Sequence, residues 1–288
     1  MSAQEITIKT LADFTSVVET TLSATKESHK GDDKVPAKLV NWYRGCGLAS
    51  YKLQPSLYRH TKYSKVNDLL KLERIMLEWF KRRASVFPNA PADNADGSWN
   101  QLFFMQHHHV PTRLLDWTDN PFIALYFALS AWQEEKSRDK TVAKENAAVW
   151  VLDPVAWNKV SLTETTWGTH GPLTLMDQEI GGYAPRKSDD STELKAMQDN
   201  ACAVYGVVNS ARMVAQRGVF TIFGRNLEPM EKQFDSGFPK EALLKIIIPA
   251  QEIPGLLDSL FAMGFTDSAA YPDLHGLALE IKRYFDFI

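Results

Sequence analysis

The stretch QHHHVPTRLLDWTDNPFIALYFA, residues 106–128, decides how this 288-residue chain folds. It sets three histidines and several other polar side chains directly before an apolar segment. Asp119-Asn120-Pro121 is typical of a helix start, since Asp or Asn caps free backbone N–H groups and proline fits the first turn. We therefore predict a helix over residues 119–133. A segment that only packs does not need so many polar groups, so the residues before the helix indicate a site.

Hydrophobic spacing predicts the elements outward from this stretch. The predicted helices are the second half of residues 4–26, residues 65–85 and about 251–263. The predicted strands are one within 37–48 that ends at Arg44-Gly45 before a glycine turn, one over 147–154, two short ones around Gly218 within 210–226, and one over 243–250. Because regular helices do not join these strands, we predict an α+β fold with mixed, mostly antiparallel sheets flanked by helices.

Composition and charge limit the function only loosely. The net charge of −3 gives no sign of a nucleic-acid partner, although it does not exclude one. Two cysteines are too few for a disulfide framework and favour a reducing compartment. No signal-peptide pattern and no apolar run of about 20 residues is present, so we expect a cytoplasmic protein without a membrane segment. We divide the chain into an N-terminal helical segment, 1–36, and one domain, 37–288, with a probable insertion at 155–200.

Two polar side chains in apolar surroundings each have two interpretations. Arg44 follows Trp42-Tyr43 and precedes Gly45. An arginine at a strand end binds a carboxylate or phosphate through its planar fork, and the glycine would let a ligand approach the backbone. The alternative is an arginine paired with a structural carboxylate. Gln216, in AQRGVF, bonds either the backbone or a ligand hydroxyl.

The three adjacent histidines do not form a metal site by their spacing. His107, His108 and His109 cannot all share one ion, because neighbouring side chains point in different directions. His107 and His109 could supply two zinc ligands, but no nearby cysteine or acidic pattern clearly supplies the others. We expect one or two of these histidines to line a pocket instead.

The TRLLDWT segment, residues 112–118, also has alternative interpretations. Arg113 and Asp116 could simply pair with each other. Thr118 lies just before the predicted helix, whose free N–H groups would favour an anion, and Asp116 could face the same ligand. Cys46, between two glycines, is either a nucleophile or a small residue in a tight turn.

Together these segments resemble the FRG domain family, named after a Phe/Tyr-Arg-Gly motif that is Tyr43-Arg44-Gly45 here. The PTRLLDWT block is the most specific part of the resemblance, which covers most of the chain from about residue 38 onward. The matching segments are LQPSLYR (53–59), QHHHVPTRLLDWTDNP (106–121), ALYFA (124–128), AQRGVFTIFG (215–224) and YPDLHGLA (271–278). The chain departs from the family at His109, where the family usually has glycine.

The order of these blocks is also similar to the ADP-ribosyltransferase fold. That resemblance implies that Arg44 contacts NAD, that Thr118 leads into a helix ending in Phe127-Ala128, and that Gln216 occupies a later strand. Arg44, Thr118 and Gln216 would then be catalytic. Tyr43 or Trp117 would stack on nicotinamide. The residues implied to contact NAD are Tyr43, Arg44, Gly45, His107, Asp116, Trp117 and Thr118. Gln216 is neutral, so Asp116 or Glu228 would have to supply the negative charge.

The function implied by this resemblance is NAD-dependent ADP-ribosyl transfer to a protein or nucleic acid. Such a protein would be a bacterial toxin or phage-defence effector, with an antitoxin as a possible partner. Two alternatives remain open on the residues alone. One is a non-catalytic module that binds a nucleotide or phosphate through Arg44 and Arg113. The other is a nuclease that uses His107 to His109 and Asp116.

Overall fold

The computed structural model describes residues 3–35, 38, 40–87, 97–162, 171–207, 210–234, 237–285 and 287. Within these residues seven strands form one sheet in the order β1-β7-β4-β2-β3-β6-β5. The strands are β1 (Gln4–Thr7), β2 (Trp42–Cys46), β3 (Leu114–Thr118), β4 (Ala147–Leu152), β5 (Cys202–Val204), β6 (Gly218–Ile222) and β7 (Leu243–Ile248). Five of their six pairings are antiparallel, and only β1 and β7 run parallel. The predicted α+β fold with a mixed, mostly antiparallel sheet is confirmed.

Helices flank this sheet. The α-helices are α1 (Leu11–Ser28), α2 (Val66–Ala84), α3 (Gly97–His107), α4 (Pro121–Arg138), α5 (Pro154–Ser161), α6 (Ser191–Ala196), α7 (Ala211–Gln216), α8 (Met230–Gln233), α9 (Ile253–Ala262), α10 (Asp267–Ala270) and α11 (Leu274–Tyr284). Short 3-10 turns cover Ser56–Arg59, Lys140–Lys144, Gln178–Tyr183, Lys240–Ala242 and Ala250–Glu252. The helix predicted at 119–133 begins as expected: the Asn120 side chain accepts from two backbone N–H groups, and Pro121 is the first helical residue.

The two faces of the sheet carry separate parts of the core. Tyr43 and Val149 point toward α4 and α9, whereas Trp42 and Trp150 lie on the other face with α2 and α5. This follows from the alternation of side chains along each strand.

Of the neighbouring strands in the described sheet, β2 and β3 share the fewest paired residues. Tyr43 opposite Thr118 is the one residue pair between them in the described part of the chain, while all five residues of β2 pair with β4 and all five of β3 pair with β6. The two strands therefore part beyond this pair, toward Gly45 and Asp116. This gap sets the position of the site described below.

Close contact between β2 and α4 explains the glycine of the Tyr-Arg-Gly motif. A Cβ atom on Gly45 would lie 2.0 Å from the Ala124 carbonyl oxygen and 2.6 Å from the Ala128 nitrogen. Gly47 meets the backbone at Ala131 in the same way. The packing of α4 on the sheet thus requires glycine at position 45, whereas the approach of a ligand to its backbone stays a prediction.

Two predictions near the candidate site are wrong, and one helix was missed. β2 continues through Arg44 and Gly45 to Cys46, so Arg44 is mid-strand. Residues 211–216 form helix α7 and not a strand, because Ser210 caps a run of helix-forming residues that Arg217 ends at a φ of 49°. Helix α3 was not predicted at all.

The division into segments stays a prediction, although the structure adds detail. The residues 1–36 contribute β1, which pairs with β7 inside the common sheet. In the region 155–200, Trp157 and Tyr183 are fully buried, and Leu173 bridges to Val204 of β5. Parts of this region therefore contribute to the core, whereas helix α6 has no buried residue. The polar sequence PNAPADNADGS also predicts a loop at 88–98, of which residues 88–96 lie outside the described residues.

Arg113 and Asp116 do not pair with each other. Arg113 is fully buried, and its Nε lies 2.8 Å from Oε2 of Glu73 on α2. Its two terminal nitrogens donate to the carbonyl oxygens of Phe223 and Tyr183, both at 2.9 Å. Burial opposes the charged form, but the Glu73 carboxylate and Tyr58 together outweigh it and raise the pKa of Arg113. Arg113 is therefore a fold residue and is not free to grip a phosphate.

The Arg113–Glu73 pair gives a first prediction. Replacing Glu73 with alanine leaves a buried guanidinium unpaired, so Glu73→Ala should lower the free energy of unfolding by about 3–5 kcal/mol. Urea unfolding followed by circular dichroism measures this. The control is Glu78→Ala on the same helix, which removes only an exposed partner of Arg74 and should change stability little. An equal loss of unfolding free energy in the two variants would contradict the conclusion that the Arg113–Glu73 pair is needed for a stable fold.

The helix contact at Gly45 gives a second prediction. A methyl group there collides with backbone that cannot move aside, so Gly45→Ala should lower the free energy of unfolding by more than about 2 kcal/mol. Gly255→Ala is the matched control, since a Cβ atom there meets no atom within 4 Å and alanine favours its helix α9. Thermal melting should show a lower midpoint for the first variant and an equal or higher one for the second. An unchanged midpoint for Gly45→Ala would show that the contact with α4 is looser than described.

Candidate functional site

A cavity of about 290 Å³ lies where β2 and β3 part. The eight residues singled out from the sequence all line it, namely Tyr43, Arg44, Gly45, His107, Asp116, Trp117, Thr118 and Gln216. The other lining residues are Gln106, His109, Phe127, Ala131, Arg212, Met213, Gly218 and Phe220. The structure thus brings together residues from β2, β3, α3, α4, α7 and β6.

Arg44 reaches across the gap between the two strands. Its Nη1 donates to the backbone carbonyl of Asp116 at 2.6 Å. Its Nε is buried and has no hydrogen-bond partner in the described part of the chain. A buried N–H donor without a partner is unfavourable, so this guanidinium still has bonding capacity for a group that enters the cavity.

Asp116 is held by a chain of hydrogen bonds that the sequence did not reveal. The Thr112 hydroxyl accepts from the Leu114 nitrogen at 3.1 Å and donates to Oε1 of Gln106. This fixes the orientation of the Gln106 amide, because its oxygen faces a donor. Its Nε2 therefore donates to Oδ2 of Asp116 at 2.9 Å. One oxygen of an exposed carboxylate is fixed, and the carboxylate faces the cavity.

Thr118 and Gln216 form part of the cavity wall, but each is already engaged by the fold. The Thr118 hydroxyl donates to the Gln216 carbonyl at 2.7 Å and accepts from the Asn120 nitrogen at 3.0 Å. The Gln216 Nε2 donates to the carbonyl of Ala270 at 3.1 Å. Thr118 therefore has no proton left for a ligand in this arrangement, whereas Oε1 of Gln216 can still accept.

Of the two carboxylates considered from the sequence, only Asp116 lines the cavity. Glu228 lies outside it and pairs with Lys232 at 3.8 Å. The negative charge of the cavity therefore comes from β3, beside Arg44.

The rings expected to stack on a ligand are in the core. Tyr43 and Trp117 are each only 3% exposed, and the Trp117 Nε1 donates to Thr221 at 3.1 Å. Burial raises the pKa of Tyr43 to about 12, so its hydroxyl stays neutral. Phe127 and Phe220 supply apolar wall instead.

The histidines end helix α3. His109 has a φ of 59°, its nitrogen donates to the Gln106 carbonyl, and the Val110 nitrogen donates to the Met105 carbonyl. This is a Schellman motif, in which glycine is the usual residue at the left-handed position. The departure from the family pattern therefore keeps the turn that the glycine would form. Among the described residues, no group of three or more His, Cys, Asp or Glu could hold a metal ion.

The cavity adjoins a second groove through His107, His109 and Arg212. Burial lowers the pKa of His107, and the neighbouring His108 and Arg212 lower it further. The Arg212 guanidinium stacks 4.6 Å from the centre of the Tyr271 ring. Sequence reasoning missed Arg212 because it took α7 for a strand; Ser210 followed by Ala, Met and Ala was the available signal for a helix.

Neither cysteine is suited to act as a nucleophile. Cys46 and Cys202 are buried and unpaired, and burial raises the pKa of both thiols. Because the thiolate is the reactive form, the interpretation of Cys46 as a small packing residue fits the structure better.

His109 gives a third prediction. A left-handed conformation costs a residue with a side chain about 1–2 kcal/mol, so His109→Gly should raise the melting temperature. His108→Gly is the control, since His108 does not have a positive φ: glycine there relieves no strain, loosens the chain and removes ring contacts with Phe104 and His107, so it should lower the melting temperature. Differential scanning calorimetry measures both. A lower melting temperature for His109→Gly would mean that its imidazole makes a contact worth more than the strain.

Comparison with known proteins identifies one region of the chain. No curated protein and no solved structure matches it. No helix in the described ranges combines the length and apolar character needed to cross a membrane. The family model of the FRG domain matches residues 40–137, which include the Tyr-Arg-Gly motif and the PTRLLDWT block. Residues 40–137 are therefore an FRG domain.

Proposed function

We propose that this protein transfers ADP-ribose from NAD to a macromolecule in the cavity between β2 and β3. The observation that carries the proposal is the meeting of Arg44, Asp116 and Gln216 in one cavity, although they lie far apart in the sequence. A cation can bind the phosphates, a fixed carboxylate can stabilise positive charge on the ribose, and an amide oxygen can accept from a ribose hydroxyl.

The reaction breaks the bond between nicotinamide and ribose. Nicotinamide leaves with the bonding electron pair, and positive charge develops on the ribose. A nucleophile of the acceptor then forms the new bond and releases its proton. A carboxylate fixed beside the ribose stabilises that charge before the reaction starts. We assign this role to Asp116, which Gln106 holds in place.

Arg44 and Arg212 are suited to the phosphates. Arg44 has an Nε without a partner among the described residues, and Arg212 lines both the cavity and the adjoining groove. The cavity, at about 290 Å³, is close to the lower end of the roughly 300–1,000 Å³ typical of ligand sites. The groove adds about 410 Å³, so a dinucleotide would have one half in each.

The acceptor class and the biological role are proposed only from the resemblance to the ADP-ribosyltransferase fold. The acceptor would be a protein or a nucleic acid, and the protein would act in the cytoplasm as a toxin or phage-defence effector. An antitoxin that blocks the cavity would be a natural partner.

A binding module without turnover is the second candidate. The observation that favours it is the engagement of Thr118, whose hydroxyl already has both a donor and an acceptor partner within the fold. A residue that must bond the ribose during catalysis would have to give up one of them. In this second case NAD should raise the melting temperature without any release of nicotinamide.

Our fourth prediction separates these candidates. Asp116→Asn keeps the shape of the side chain but removes its charge, so it should lower the rate of nicotinamide release by about 10²- to 10³-fold. Arg44→Lys should raise the KM for NAD, because lysine cannot reproduce the planar fork. Glu228→Gln, a carboxylate outside the cavity, should leave both unchanged.

The assay measures free nicotinamide by chromatography and follows transfer of ADP-ribose with NAD labelled on the adenylate, with cell lysate as the source of acceptor. Label that resists protease but not nuclease, or the reverse, identifies the acceptor class. Equal loss of activity in Asp116→Asn and Glu228→Gln would refute the assignment of Asp116. No release of nicotinamide together with NAD-dependent stabilisation that needs Arg44 would favour the binding module.

A further inference from the structure

Helix α11 is turned the opposite way from an ordinary surface helix. Its outward residues are large and apolar: Leu274, Leu277, Ile281 and Tyr284, followed by Phe285 and Phe287, are 47–83% exposed. Surface helices normally bury such a stripe and show polar residues to water.

Two charged residues of α11, Glu280 and Arg283, face the protein, whereas His275 and Lys282 are exposed. Arg283 bonds the carboxylate of Asp267, which is almost fully buried, and also Gln133 on α4. The Glu280 carboxylate accepts from the Ser268 nitrogen at 3.0 Å. Gly276 is buried so closely that a Cβ atom would lie 2.0 Å from the Tyr271 carbonyl. These specific bonds fix the rotation of α11, so its apolar stripe cannot turn inward.

The spacing of the stripe points to a helix as its partner. Leu274, Leu277, Ile281 and Tyr284 follow one another at three, four and three residues, which is the narrow a/d seam of paired helices. A helix that lies on a membrane instead shows a cationic polar face to water. On α11 itself, Arg283 is bonded to Asp267 inside the protein, which leaves Lys282 as the one exposed cation of this helix, and the net charge of the chain is −3.

We propose that α11 pairs with α11 of a second copy of this chain, in a two-fold symmetric dimer. A symmetric interface uses the same patch twice, so the patch must be complementary to itself. A stripe of six exposed apolar side chains meets this condition, because no like charges face each other across the two-fold axis. Six large side chains at these exposures present on the order of 600 Å² per protomer, which approaches the roughly 800 Å² per partner of a standard interface. The inference does not depend on the proposed function.

Another apolar surface on the same chain supplies the matched control. Trp79 on α2 is 52% exposed and lines a groove with Phe80 and Phe104, far from α11 in the sequence. A head-to-tail contact, in which α11 of one copy enters this groove of the next, would need both surfaces. A symmetric α11 pair needs only one.

The experiment is sedimentation velocity of the full chain as a function of protein concentration. We expect a monomer–dimer equilibrium that Ile281→Glu weakens at least about tenfold, since the dimer would bury the new carboxylate twice. Trp79→Glu should leave it unchanged. Circular dichroism and thermal melting check that both variants are folded.

A second measurement holds even if Ile281→Glu is unstable. Ile281 lies near the middle of the stripe, so in a symmetric pair it comes close to its own copy. A short bismaleimide should therefore cross-link two copies of Ile281→Cys into a covalent dimer. It should not cross-link Met263→Cys, whose side chain is exposed outside the stripe. The two natural cysteines are buried and do not compete.

Three outcomes would overturn the proposal. The first is a monomer at every concentration, including one that binds anionic phospholipid vesicles through α11. The second is a dimer that Ile281→Glu does not weaken and Ile281→Cys does not cross-link. The third is a self-association that Trp79→Glu abolishes as well, because this would assign the contact to the groove.

Discussion

The buried ion pair between Arg113 and Glu73 is the interaction on which the rest of the site depends. The pair joins helix α2 to Arg113, the residue directly before β3. The same guanidinium donates to the carbonyl of Phe223, directly after β6, and to the carbonyl of Tyr183, at the end of a 3-10 turn. Replacing such a pair with apolar residues often costs nothing in stability. Its value here is geometric. Four separated segments are held at fixed angles to one planar group, and β3 leaves that point toward Asp116 and Thr118.

A second constraint acts from the other side of the gap. Gly45 and Gly47 let α4 lie directly on β2, so the strand cannot bend toward β3 without losing that contact. With β3 fixed by Arg113 and β2 fixed by α4, the strands meet at Tyr43 and Thr118 and part beyond them. The cavity is therefore a result of how the two halves of the sheet are anchored. Within the Tyr-Arg-Gly motif, Arg44 lines the cavity and Gly45 permits the packing of the helix on the strand.

Elements with strong local signals could be predicted from the sequence, and those with weak signals could not. The start of α4 is set by Asn120 and Pro121, β4 is an unbroken apolar run, and β7 is an apolar run interrupted only by Lys245, so nearby residues decide these elements. Helix α7 has only six residues, too few for periodicity to distinguish it from a strand. Helix α3 lacks an amphipathic pattern, because it is buried on several sides. In both cases tertiary packing decides the structure.

The same distinction applies to the candidate site. Residues on β2 and β3 were found because their motifs stand out in the sequence. The residues that hold these side chains in place were not found, because their contacts form only when the chain folds. Gln106 donates to Asp116 across the turn between α3 and β3. The Tyr271 ring, after α10, lies against the Arg212 guanidinium. Tyr271 also packs against Phe127 in the cavity wall, and Asp273 caps α11 only two residues later. The cavity wall and the exposed apolar helix thus share one short connection.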